Sequence, residues 1–278
     1  KHTAPKVFKA AYSWVECADF IPAYITGNTN PDTMVRCICA AGHKAMYNEQ
    51  WGGLPSEDFL ASLDKDMPRL RYTTKAVPSD QKAGELTAAI AKKVGLPAGI
   101  PVAAGAFDAH HGAVGSGAKA GTLVKIMGTS TCDCMPAPGD KKLPDIPGLC
   151  GIVDGSIIPG MYGLEAGQSA VGDIFNWFVK QLTPGSFGQG GEAHVKLTND
   201  AAKLAPGASG LIALDWNNGN RTILVDPLLT GMLVGQTLHT TAPEVYRALV
   251  EATAFGAVTI INRIEEYGVT VKEVINCG

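Results

Sequence analysis

The sequence predicts an α/β fold in two lobes, and three observations carry that prediction. Strand-like and helix-like segments alternate on both sides of a small-residue stretch, Ala118-Lys-Ala-Gly-Thr122, which divides residues 1–120 from 121–278. Two apolar runs, Ile100–Ala106 and Leu123–Met127, each stop in a polar tip of small residues, as buried strands do. The longest helical pattern, Pro243–Tyr267, ends at Gly268 and leads into a strand pattern at Val271–Asn276.

The elements follow in order. Val7–Tyr24 has apolar residues at mixed helical spacing, so it reads as a helix carrying Glu16 and Asp19 and ending near Pro22. The cluster Gly27–Asp32 is a turn, and Val35–Ala40 reads as a strand running into Ala41-Gly42-His43-Lys44. Gln50–Pro55 is a loop, and Ser56 starts a helix through Leu63. A further helix runs from Gly84 to Val94 and stops at Gly95. Beyond the central strands, Ala137–Gly148 is proline-rich loop, and Ile152–Tyr162 is a hairpin turning at Asp154-Gly155. Glu165–Lys180 places Val171, Ile174, Phe175 and Phe178 at helical spacing, and Ala193–Leu204 is a short helix. Gly210–Asp215 is a strand that opens into the polar loop Trp216–Arg221.

Composition narrows the function. With 278 residues, 46% hydrophobic and a net charge of −3, the chain can bury a large core and has no basic surplus for nucleic acid. No apolar stretch approaches the ~20 residues of a membrane span, and no signal-peptide pattern opens the sequence. The seven cysteines include two C-x-C pairs, Cys37/Cys39 and Cys132/Cys134, which lack zinc spacing and read as reduced, buried thiols of a cytoplasmic protein. The last residues, Val274–Gly278, read as a strand entering a glycine loop. From this the chain is expected to be the middle of something longer, inactive and prone to associate when isolated.

The chemistry concentrates in Pro101–Met135. A lone carboxylate, Asp108, follows the first apolar run, and Gly128-Thr129-Ser130 follows the second. Ligands of open α/β sheets sit at the carboxyl ends of strands. There a carboxylate could take a hydroxyl proton while a small-residue loop holds phosphate. Aspartate is also a common helix cap, and the pattern alone leaves both roles open. His110 and His111 are adjacent, point in different directions and make no chelating pair; one is expected to pack and the other to face solvent. Asn217, Asn218, Asn220 and Arg221 suit a cleft rim, and Arg221 is a weak candidate for an anion.

Several segments together carry a resemblance. They are Ser13-Trp-Val-Glu16, Ala41-Gly-His-Lys44, Trp51-Gly-Gly-Leu-Pro55, Gly105-Ala-Phe-Asp-Ala-His110 and Gly128-Thr-Ser-Thr-Cys-Asp133. Gly163-Leu-Glu-Ala-Gly-Gln-Ser169, Leu214-Asp-Trp-Asn-Asn-Gly-Asn-Arg-Thr222 and Ala252-Thr-Ala-Phe-Gly256 complete the set. In this order they resemble the FGGY family of carbohydrate kinases over essentially the whole chain. The resemblance implies two actin-like (ribonuclease H-like) lobes around a cleft, each partly present: the end of the sugar-binding lobe in residues 1–120, and the start of the ATP-binding lobe in 121–278. It implies Asp108 as general base, Lys44 and Glu165 as sugar ligands, and Gly128, Thr129 and Ser130 at the ATP phosphates. The role of Asp133 stays open. ATP and Mg²⁺ would be the cofactors, the metal held mainly by groups outside this chain, and a small sugar the partner. The implied reaction is phosphorylation of L-ribulose to L-ribulose 5-phosphate, a step of L-arabinose catabolism. The alternatives are a kinase for another pentulose or pentitol, or a non-catalytic sugar-binding relative.

Overall fold

A computed structural model describes residues 1–72, 75–140 and 142–278. The chain forms two compact units: Lys1–Val114 with Gly151–Gly163, and Gly115–Cys150 with Leu164–Gly278. The elements in order are α1 (Pro5–Ala10), α2 (Cys17–Thr26), β1 (Arg36–Cys37), α3 (Ile38–Ala45), α4 (Glu57–Leu63), β2 (Ala76–Val77), β3 (Lys82–Glu85), α5 (Ala88–Val94), β4 (Pro101–Ala103) and α6 (Asp108–Gly115). They continue with β5 (Thr122–Met127), β6 (Thr131–Pro138), β7 (Gly151–Asp154), β8 (Met161–Ala166), α7 (Gly172–Gln181), α8 (Gly190–Ala201), β9 (Ile212–Leu214), β10 (Met232–Val234), α9 (Ala242–Glu266) and β11 (Glu273–Cys277).

In the first unit β1 pairs with β2 in parallel, and β3 with β4 antiparallel. The run Val35–Ala40, expected as a strand, is strand only at Arg36–Cys37 and then turns into α3. Its buried residues, Ile38 to Ala41, are apolar on all sides, and such a run cannot be told from a strand by periodicity. The Cys37 sulfur starts the helix by accepting the Ala40 N–H at 3.3 Å. The expected helix Val7–Tyr24 is broken into α1 and α2, and Pro22 lies inside α2 rather than at its end. Proline at position 22 has no N–H to give the Ala18 carbonyl one turn back. That carbonyl is the group against which Gly105 lies, and a methyl on Gly105 would overlap it. The missing donor and the missing side chain let the end of the β4 segment approach α2 closely.

Two buried charges fix the start of α3. Asp19 accepts the Cys37 N–H at 2.7 Å, and the fully buried Arg36 holds Nη1 at 3.7 Å from it. Burial pushes the Asp19 carboxyl up, against the opposing pull of the Cys37 N–H and of Arg36.

In the second unit a mixed sheet has the order β11-β5-β6-β8. β11 is parallel to β5, and β5 is antiparallel to β6 in a register that pairs Lys125 with Asp133 and Met127 with Thr131. The principal core lies between α7, α8 and α9, where Ile174, Phe178, Leu197, Tyr246 and Leu249 pack together. α9 opens with a capping box between Thr241 and Glu244, which satisfies two helix-end donors reciprocally. Among the described residues no helix is long and apolar enough to cross a membrane.

Candidate active site

The first unit holds two of the expected site residues, Lys44 and Asp108. Lys44 falls in the last turn of α3, where the helix dipole favours a cation. It is exposed, with Nζ 5.1 Å from the centroid of the Phe107 ring, a cation–π contact, and the residue after Phe107 opens α6. That residue is Asp108, exposed at the first position of α6 with Oδ1 accepting the Ala109 N–H at 2.9 Å. Asp108 therefore sits in a helix's first turn and keeps an open carboxylate as well. Phe107 is anchored from below: its N–H meets the Cys39 sulfur of α3 at 3.5 Å, and its ring packs on Cys37, Cys39 and Ala40. The packing ties the lysine of α3 and the carboxylate of α6 to one support.

Beneath them lie His43 and His110. His110 is buried while His111 is exposed, the division expected from their adjacency. The two Nε2 atoms are 3.3 Å apart, and His43 Nε2 is also 3.2 Å from Ser156 Oγ. The Ser156 hydroxyl also lies 3.2 Å from the Val153 carbonyl, to which it can donate. Burial lowers both histidines, His43 to about 3 and His110 to about 4. Both are neutral at pH 7.

A pH dependence follows, with a defined sign. The folded pKa values lie below the ordinary value of 6.5, so the unfolded chain binds more protons and stability rises with pH. The contribution is complete above about pH 6.5 and is lost as pH falls towards about 4 for His110 and about 3 for His43, by on the order of 1 kcal/mol per pH unit for each histidine. Denaturant unfolding of the first unit at pH 7 and pH 5 reads this directly. His43→Gln should flatten the slope, and an unchanged slope would remove His43 from the acid response.

In the second unit Gly128-Thr129-Ser130 is the three-residue tip of the β5–β6 hairpin, with Gly128 and Thr129 exposed and Ser130 half-buried. α7 has no side-chain cap, and the tip replaces one. Its carbonyls accept the first N–H groups of that helix: Gly172 to Gly128 at 3.1 Å, and Val171 and Asp173 to Thr129 at 2.9 and 3.1 Å. Glu165 is half-buried on β8, beside β6, with its carbonyl accepting the Cys150 N–H at 2.9 Å.

Behind the tip is a polar cluster. Lys125 reaches Asp133 at 3.0 Å and Gln168 at 2.7 Å, and Gln168 reaches Asp215 at 2.6 Å, all of them buried. The role of Asp133 was open from sequence, and Lys125, Gln168 and Asp215 were not singled out. The available signal was a lysine inside the apolar run Leu123–Met127, since lysine is almost never buried unless paired. Arg221, a weak anion candidate, has another occupation: its guanidinium donates to the Thr131 carbonyl, and its N–H donates to Ser169 Oγ at 3.2 Å.

Residues 123–278 match the FGGY family of carbohydrate kinases, C-terminal domain, and the chain belongs to that family. It is 42% identical over 285 residues to the ribulokinase of Shouchella clausii, covering 99% of this chain and 49% of that protein. To the ribulokinase of Halalkalibacterium halodurans it is 44% identical over 287 residues, with coverage of 99% and 49%. Among solved structures, xylulose kinase from Rhodospirillum rubrum superposes with a TM-score of 0.79 at 26% identity, over 99% of this chain and 52% of that one. The mixed α/β architecture is thus the actin-like fold of the FGGY kinases. The chain spans about half the length of the relatives it matches.

Proposed function

We propose that this chain supplies the base, the sugar ligands and a phosphate loop to an ATP-dependent kinase that phosphorylates the terminal hydroxyl of L-ribulose. The observation that carries the reading is the contact of Lys44 with Phe107, the residue that immediately precedes Asp108 and its exposed carboxylate. A lysine gives hydrogen bonds to hydroxyl and carbonyl oxygens, Glu165 accepts them from hydroxyls, and Asp108 takes the proton of the attacking hydroxyl. The similarity to ribulokinases favours L-ribulose among pentuloses.

The lobe assignment belongs to the same proposal, with residues 1–120 on the sugar side and 121–278 on the nucleotide side. The tip Gly128-Thr129-Ser130 suits a phosphate, because the Gly128 and Thr129 carbonyls are taken up at the start of α7 and the Ser130 carbonyl by the Gly128 N–H, while residues 128 and 129 stay exposed. Its hydroxyls are hard oxygen donors of the kind a nucleotide-bound Mg²⁺ or a phosphate shell accepts. When bound, Mg²⁺ would neutralise charge on the ATP phosphates. Everything else in the step falls to side chains: holding the sugar, orienting its hydroxyl and removing the proton.

The test is sugar-dependent ADP release by this sequence within a polypeptide of its relatives' length, together with Lys44→Met. The variant should raise the KM for L-ribulose about 10-fold or more while the KM for ATP changes less than twofold, the cost of one charge-assisted hydrogen bond being about 1.5–3 kcal/mol. A parent that binds L-ribulose without releasing ADP would support a non-catalytic relative instead. A preference for another pentulose would overturn the substrate.

A further inference from the structure

We propose that Lys125, Asp133 and Gln168 form a positioning unit that sets the Gly128–Ser130 tip for nucleotide phosphates. This rests on the kinase reading above. Lys125 and Asp133 face each other across β5 and β6, one same-face pair inward from Met127 and Thr131, which close the tip. The Lys125 ammonium has three hydrogens and three partners: Asp133 at 3.0 and 3.1 Å, Gln168 Oε1 at 2.7 Å, and Thr131 Oγ1 at 3.4 Å.

Gln168 has only one workable orientation. Its oxygen must face the ammonium, so its amide nitrogen must face acceptors, and it meets Asp215 Oδ2 at 2.6 Å and the Thr253 carbonyl at 2.8 Å. Its backbone also grips the hairpin. The Gln168 N–H donates to Thr131 Oγ1 at 2.9 Å, and the Thr131 N–H donates to the Gln168 carbonyl at 3.1 Å. The neck of the hairpin is thereby bound to the end of β9 and to α9, while the tip itself is bound to α7.

Stability does not account for this arrangement. Two charges lose their hydration on burial, and apolar residues of the same volume often serve as well or better. What a fully satisfied polar cluster adds is a single geometry. A loop that binds charged oxygens with fixed donors depends on that geometry, because donors that need no rearrangement hold the charge best. The three residues therefore act through the tip and do not touch the nucleotide.

The experiment uses the full-length polypeptide carrying this chain and reads melting temperature, KM for ATP, KM for L-ribulose and the dissociation constant for Mg·ADP. Lys125→Met alone leaves Asp133 buried without its cation, so the informative variant pairs Lys125→Met with Asp133→Leu. It should keep the parent's melting temperature within a few degrees and raise both the KM for ATP and the Mg·ADP dissociation constant about 10-fold, with the sugar KM within twofold. Gln168→Met keeps the ion pair but cuts its link to Asp215 and Thr253, and should raise the same two constants about fivefold. If either folded variant binds nucleotide as the parent does, the cluster is structural only and the proposal fails. A parent with no sugar-dependent ADP release would defeat the kinase reading itself, a result the variants cannot produce.

Discussion

Asp108→Asn is expected to lower kcat by about 10²- to 10⁴-fold in a full-length polypeptide carrying this chain, the range for loss of a positioned proton acceptor. The substitution is nearly isosteric. Asparagine keeps an oxygen that can accept the Ala109 N–H, now held at 2.9 Å, so the start of α6 should survive. It cannot take up a proton. The melting temperature should therefore stay within a few degrees, and the sugar dissociation constant within a few-fold, of the parent while turnover collapses. The same result would separate the two roles that the sequence leaves open, because asparagine caps a helix as well as aspartate and a merely capping residue would leave kcat unchanged. Unchanged turnover would exclude Asp108 as the base.

Gly167→Ala should produce the largest loss of stability, about 3 kcal/mol, with a fall in melting temperature of roughly 10 °C. Gly167 has a φ of +153°, where side chains are strained, and its N–H donates to Thr222 Oγ1 at 2.9 Å. A methyl there would overlap the Thr131 carbonyl and the Arg221 guanidinium that donates to it. Either the hairpin neck shifts or the arginine leaves. Gly115→Ala is the control, since nothing lies within 4 Å of the added carbon. It should change stability by less than about 1 kcal/mol. Equal effects from the two alanines would mean that close packing at residue 167 is not what requires glycine.

The parts of the fold most legible in the sequence were those with local causes. The strand at Thr122–Met127 and its small-residue tip follow from an apolar run that stops in Gly-Thr-Ser, and α9 from its proline, its cap and the terminal Gly268. Asp108 stands out as a lone carboxylate after an apolar run, whereas Lys44 enters through the family resemblance, and Phe107 precedes the one and contacts the other. What stayed hidden depends on distant partners. Pro22 reads as a helix end, yet α2 runs through it to Thr26. The cluster behind the tip draws on residues 125, 133, 168 and 215, each a single polar position in its own segment. No local pattern links them, and only the register of β5 on β6 and the return of the chain at Gln168 bring them into contact.

The bonds from Val171, Gly172 and Asp173 into the tip also constrain motion. Since those carbonyls are the acceptors for the first turn of α7, the tip cannot open without the helix fraying, and the helix cannot fray without releasing the tip. The two share one local unfolding equilibrium. Any anion that holds the tip closed will slow hydrogen exchange at residues 171–173. The start of α7 is a built-in gauge of occupancy, legible by amide exchange without a labelled ligand.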